Sequence, residues 1–260
     1  MSAGRLVFEK DGAIARIRFD NPAAYNALTH KMWRDLRDAA RAITDDPEIR
    51  VVTFRGTGGK AFISGTDIAD FAHFTSGRDG IAYERGIDEC MAAVDAIPVT
   101  TIAIVEGWAV GGGLNISSAC DFRIATPDAR FGSPIGRTIG NCLSASSVAR
   151  IGAAVGVQIA KRMVLLGDMV PAADLLAGGF LLDLVPPEKI DDAAADLCRR
   201  AIENAPLTTH ATKETIRRMT FADLPEVECL IEQVYGSADF RRGVANFLAR
   251  TKTLPSWTGD

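Results

Sequence analysis

Two glycine-rich segments carry the clearest chemical signal: GTGGKAFISGTDIADF (56–71) and EGWAVGGGLNISSACDF (106–122), each following an apolar run of strand character. In the second, Gly111, Gly112 and Gly113 open a helix, so the free N–H groups of its first turn and the positive end of its dipole face the preceding loop. Such an end is suited to negative charge. The G-x-G-x-x-G spacing and the P-loop lysine are both absent, which favours an oxyanion that develops during a reaction over a bound phosphate. The plainer reading is that the three glycines merely allow close helix-to-strand packing.

Groups able to move protons are sparse. No Asp or Glu occurs between Asp128 and Asp168. In the helix before the central strand, Tyr83, Ile87, Cys90, Met91 and Val94 share one apolar face and Glu84 borders it. A carboxyl there, facing an apolar pocket, would be pushed toward neutrality by desolvation and become a proton shuttle. The competing reading is a solvated helix flank, with Arg85 and Asp88 nearby for local pairing. Glu89 points away from that face. His30, His73 and His210 show no spacing that suggests a triad or a metal site.

The elements that must position these residues follow from periodicity. Leu6 to Lys10 and Ala13 to Phe19 alternate about Asp11-Gly12, which predicts a β-hairpin. Thr29 is placed to cap a helix carrying Met32, Leu36, Ala39, Ala40 and Ile43, and a buried strand over 51–54 follows. A helix over 87–94, a strand over 101–105, a helix after Gly113 and a strand over 122–125 continue an α/β alternation. From Ser144 onward helical spacing dominates, interrupted by Gly167-Asp168, a strand-like run over 181–185 and the Pro186-Pro187 stop. A soft boundary near residue 200 divides a core (1–200) from a C-terminal helical region (201–260).

With 29 basic against 33 acidic residues and no Lys/Arg block, the chain lacks the charge footprint of a nucleic-acid binder, and a small-molecule substrate fits better. Five scattered cysteines without a C-x-x-C pair read as reduced thiols. The charged N-terminal residues and the absence of a long apolar stretch lead us to expect a soluble, cytoplasmic protein.

NPAAYNAL (21–28), AFISGTDI (61–68) and GWAVGGGLNISSACD (107–121) resemble, in order and spacing, the crotonase (enoyl-CoA hydratase/isomerase) superfamily. RFGSP (130–134), ARIGAAVG (149–156), MVLLGD (163–168) and DFRRGVANFLARTK (239–252) continue the resemblance over nearly the whole chain. The resemblance implies an α/β fold, a spiral of ββα units with two roughly perpendicular sheets and a helical C-terminal region that helps form a homotrimer or dimer of trimers. The helices after Leu207 and Leu224 are the expected interface elements. It also implies an acyl-CoA thioester whose carbonyl is held by the backbone N–H groups of Thr66 and Gly112. Coenzyme A would enter as part of the substrate, with no separate cofactor.

By the same resemblance the loop from Ala61 through Ser64, Gly65, Asp67 and Ile68 to Ala69 lies along the CoA moiety. Asp67 is expected to brace that loop, and the Thr66 hydroxyl to satisfy a turn. Ala69 stands where relatives often have Lys, which leaves CoA phosphates to other bases such as Lys60, or Lys252 from a neighbouring subunit. The departure that matters most is acidic: Asn115 and Ile135 occupy the positions of the two hydratase glutamates. Asparagine can orient water, and isoleucine can neither orient water nor transfer a proton. Glu84 is therefore the candidate relocated base, with a Cys142 nucleophile or an Arg137 clamp as lesser alternatives. The expected function is an enzyme that stabilises a thioester enolate, whether hydratase, isomerase, hydrolase or carbon–carbon bond enzyme. A non-catalytic acyl-CoA binder is the alternative, and an RNA-binding relative finds no basic helix here.

Overall fold

The computed structural model describes residues 4–251 and 253–260. In chain order its elements are β1 (Arg5–Asp11), β2 (Ile14–Asp20), α1 (His30–Asp45), β3 (Val51–Gly56), β4 (Ala61–Ile63), α2 (Gly77–Asp95), β5 (Thr100–Val105) and β6 (Trp108–Val110). They continue with α3 (Gly112–Ala119), β7 (Phe122–Ala125), β8 (Arg130–Gly132), α4 (Ile135–Thr138), α5 (Ala145–Val155), α6 (Val157–Leu165) and β9 (Val170–Pro171). The chain closes with α7 (Ala172–Ala177), β10 (Asp183–Leu184), α8 (Ile190–Glu203), α9 (Pro206–Thr220), α10 (Glu228–Gly236) and α11 (Ala238–Leu248).

The predicted hairpin forms as β1 and β2, which pair antiparallel with Asp11 opposite Ile14 and Gly12 in the left-handed region. The predicted cap also forms: the Thr29 hydroxyl accepts the Met32 N–H at 3.2 Å, and α1 buries the five expected apolar side chains together with Trp33.

Three strand–strand–helix turns follow one another: β3-β4-α2, β5-β6-α3 and β7-β8-α4. The first strands of the turns, β3, β5 and β7, run parallel in a six-stranded sheet of order β1-β2-β3-β5-β7-β10. The second strands, β4, β6 and β8, run parallel in a four-stranded sheet completed by β9. The chain is thus the α/β spiral that the family resemblance implies. The strand expected over 181–185 shrinks to Asp183–Leu184, which pairs parallel with β7 as the edge of the sheet, and the flanking Leu182 and Val185 N–H groups donate to the Arg123 and Ala125 carbonyls of β7.

Both faces of the larger sheet are covered, as a parallel sheet requires. Val52, Phe54, Ala103 and Val105 face the main core with α1 and α2, while Val51, Ile102, Ile104 and Ile124 face α8 through Ile190, Ala194 and Cys198. A third apolar cluster ties α10 and α11 to the segment after β4, through Ile231, Tyr235, Phe240, Ile68 and Phe71. Helix α2 begins at Gly77, ten residues before the stretch its apolar period marks. The Asp79 carboxylate accepts the N–H groups of Thr75 (2.7 Å) and Ser76 (2.8 Å) and fixes that start. No helix among the described residues is long and apolar enough to cross a membrane.

Candidate active site

A cavity of about 160 Å³ lies where the β4 loop, the start of α3, helix α2 and the segment after β8 converge. Two backbone donors meet there. Leu28 engages the peptide groups on either side of Thr66: its N–H donates to the Gly65 carbonyl at 2.9 Å and its carbonyl accepts the Asp67 N–H at 2.8 Å. In such a parallel bridge the N–H of Thr66 itself points away from Leu28, and it has no acceptor among the described residues. Gly112 is the first residue of α3, so its N–H lacks an intrahelical acceptor. Thr66 and Gly112 both line the cavity.

The glycines around this pair serve both readings offered by the sequence. Gly65 and Gly111 hold φ values of 126° and 53°, conformations that favour glycine. A Cβ on Gly112 would lie 2.9 Å from the Trp33 ring, and one on Gly113 would run into the Ile63 carbonyl. Close packing is therefore what places the Thr66 and Gly112 N–H groups at the cavity wall.

The Thr66 hydroxyl does not satisfy a turn, as expected, but accepts the Trp33 indole N–H at 3.3 Å and the Tyr83 phenol at 3.1 Å. Asp67 does brace its loop, its carboxylate accepting the Ala69 N–H at 3.1 Å. Ser64, Gly65, Ile68, Asn115 and Ile135 line the cavity. Ala61 does not: it is buried in β4, where its carbonyl accepts the Asn26 amide. Lys252 lies outside the described residues.

Glu84 is 4% exposed and lines the same cavity, which excludes the solvated-flank alternative. Arg85 turns outward to Glu228 at 2.7 Å, and Asp88 accepts the hydroxyls of Ser144 (2.6 Å) and Ser146 (2.5 Å). The Glu84 carboxyl accepts the Tyr235 hydroxyl at 2.6 Å and the Ser144 N–H at 3.3 Å. Burial pushes its pKa up to about 7, against the lowering by the Tyr235 bond and with a further push from the Asp88 charge. A carboxyl so poised can both take and return a proton near neutral pH.

Asn115 lines the cavity with its side chain held from both ends. Its amide donates to Ser147 Oγ at 3.0 Å and its oxygen accepts from Arg150 at 2.9 Å. Arg150 is itself fixed by the buried Asp95 carboxylate. The two lesser alternatives lie outside the cavity wall. Burial, then the Glu84 charge, pushes the Cys142 thiol up to about 12, and Cys142 is absent from the cavity wall. Arg137 lays its stem against Gly167, likewise outside the wall. Among the described residues no His/Cys/Asp/Glu group could hold a metal.

Sequence reasoning missed Tyr235, Asn141 and Ser147. Tyr235 and Ile231, one helical turn apart, do mark the buried face of α10, but nothing local says that this face meets Glu84.

The family model described as enoyl-CoA hydratase/isomerase matches residues 9–259. The chain is 30% identical over 220 residues to (E)-benzylidenesuccinyl-CoA hydratase of Thauera aromatica, covering 80% of each. It is 26% identical over 237 residues to the short-chain-enoyl-CoA hydratase of Clostridium acetobutylicum, covering 91% of this chain and 90% of that one. A crystal structure described as an enoyl-CoA hydratase/carnithine racemase from Magnetospirillum magneticum superposes with a TM-score of 0.79 at 30% identity, covering 98% of this chain and 96% of that chain.

Proposed function

The chain belongs to the enoyl-CoA hydratase/isomerase family, and within it we propose an enzyme that forms the enolate of a short acyl-CoA thioester, with Glu84 moving the proton. The observation that carries this reading is a buried carboxyl sharing one small cavity with the N–H groups of Thr66 and Gly112.

The thioester oxygen accepts from those two donors, which are fixed before the charge appears and need no reorganisation. Each supplies roughly 3 kcal/mol to the enolate-like transition state. For water addition, Glu84 takes a proton from water as the water oxygen bonds to C3 of an enoyl thioester. The C2=C3 π pair becomes the C1=C2 bond while the carbonyl π pair moves onto the thioester oxygen, giving the enolate, and Glu84 returns the proton to C2 as the enolate collapses. One carboxyl thus serves as base and then acid, so the loss of both usual glutamates is no bar to turnover. The hydratase descriptions of two relatives support water addition over a 1,3-proton shift, which the same carboxyl could perform.

Ile68, Phe71, Ile87, Ile135, Ile139 and Leu143 give the cavity an apolar wall, and its volume of about 160 Å³ suits a short acyl group. The segment from Ser64 to Ile68 would run along the CoA moiety, which arrives with the substrate. Leu207, Ile216 and Met219 of α9 are exposed apolar residues, in keeping with burial in a homotrimer or dimer of trimers.

The test is incubation with a panel of short enoyl-CoA, 3-hydroxyacyl-CoA and saturated acyl-CoA esters, with product masses and binding followed together. Hydration or double-bond migration of a short enoyl-CoA is expected. Tight binding across the panel with no product would replace the enzyme by a non-catalytic acyl-CoA binder.

A further inference from the structure

Helices α2 and α10 touch at two glycines. A methyl group on Gly77 would overlap the Glu232 carbonyl, and one on Gly80 would overlap the Tyr235 ring well inside contact distance. Only glycine at these positions lets α10 come close enough for Tyr235 to reach Glu84, one turn beyond Gly80 on α2. The Tyr235 ring is 1% exposed and packs against Phe240 with centroids 4.8 Å apart and Phe71 at 6.1 Å. Its hydroxyl donates to Glu84 at 2.6 Å and accepts the Asn141 amide at 3.2 Å. With Glu84 ionised, the direction of this chain is forced. An ionised carboxylate has no proton to give, so the phenol donates, and Asn141 must then present its NH₂ to the phenol oxygen.

We propose that Tyr235 is a positioning residue for the proton-transfer step: α10 seats it through the Gly77/Gly80 gap so that it holds Glu84 in the ionised form that can act as a base, with Asn141 fixing the direction of the bond. This rests on the reading of Glu84 given above. The other groups acting on the carboxyl are Asp88, which opposes ionisation, and the Ser144 N–H at the start of α5, which favours it. Tyr83 and Cys142 also feel the Glu84 charge, and burial keeps both neutral. None of these groups is cationic, so among them the 2.6 Å phenol bond is the closest support for the negative charge.

The experiment follows the rate of C2 hydrogen exchange of butyryl-CoA in D₂O against pH for the wild type, Tyr235→Phe and Glu84→Gln. Phenylalanine keeps the packing and removes one bond to a charged acceptor, which is worth about one to two pH units. The acidic limb of the Tyr235→Phe profile should move up by that amount. A purely structural role would lower the rate alike at every pH and leave the limb in place, and that result overturns the proposal. Full exchange by Glu84→Gln would instead overturn the assignment of Glu84 itself. If Tyr235→Phe does not fold, 3-fluorotyrosine placed at 235 provides the test, because a more acidic phenol donates more strongly. The limb should then move down, and an unmoved limb overturns the proposal.

Discussion

Replacing Glu84 by glutamine should change how stability depends on pH. The carboxyl has an ordinary value of 4.5 and is pushed up to about 7 in the folded protein by burial. Between those values the folded chain holds a proton that the unfolded chain has released. The stability this group contributes is therefore fully present below about pH 4.5 and lost as pH rises through about 7. A displacement of that size corresponds to about 3 kcal/mol. Glutamine has nothing to titrate, so groups far from the site cancel when the two proteins are compared. The Asp88 carboxylate, linked to the site through Ser144, is the neighbour able to couple. Urea unfolding of both proteins at about pH 5 and about pH 8 measures the effect. The wild type should lose about 2–3 kcal/mol relative to Glu84→Gln between the two conditions, since a small part of the loss has already occurred at about pH 5. Parallel losses in the two proteins would refute the argument that Glu84 is a buried carboxyl held partly neutral.

Gly80→Ala gains helix propensity, yet its methyl group overlaps the Tyr235 ring close to the α10 backbone, so a net destabilisation of about 1–3 kcal/mol is expected in urea unfolding. A nitronate analogue of a short acyl-CoA, which carries the charge of an enolate, should bind at least roughly 100-fold tighter than the saturated thioester by calorimetry. Iodoacetamide at neutral pH should label the exposed Cys229 well before Cys142, whose thiol is pushed up to about 12, as peptide mass mapping will register.

The elements that periodicity reads well are those with one long buried face. Helix α1 and strands β3, β5 and β7 appear where their apolar residues place them. The second sheet escapes periodicity for a physical reason: β4, β6 and β8 have three residues each, too few to show an alternation of period two. Glycine and motif order mark these short strands instead, and the same two signals single out Thr66 and Gly112. Glu84 is legible as a residue at the edge of an apolar face, but whether that edge meets solvent or a cavity depends on α10. Tyr235 lies 151 residues along the chain from Glu84, and no local pattern links the two. The Thr66 hydroxyl departs from its expected turn for a similar reason, because its partners Trp33 and Tyr83 come from two helices that the local sequence does not bring together.

The central claim is that Glu84 moves the proton at the carbon next to the thioester. Exchange of the C2 hydrogens of a saturated short acyl-CoA in D₂O, followed by NMR, tests this step without knowledge of the natural substrate. The wild type should exchange them, and Glu84→Gln should do so roughly 100- to 10,000-fold more slowly while still binding the ester. Exchange at the wild-type rate by Glu84→Gln would contradict the account.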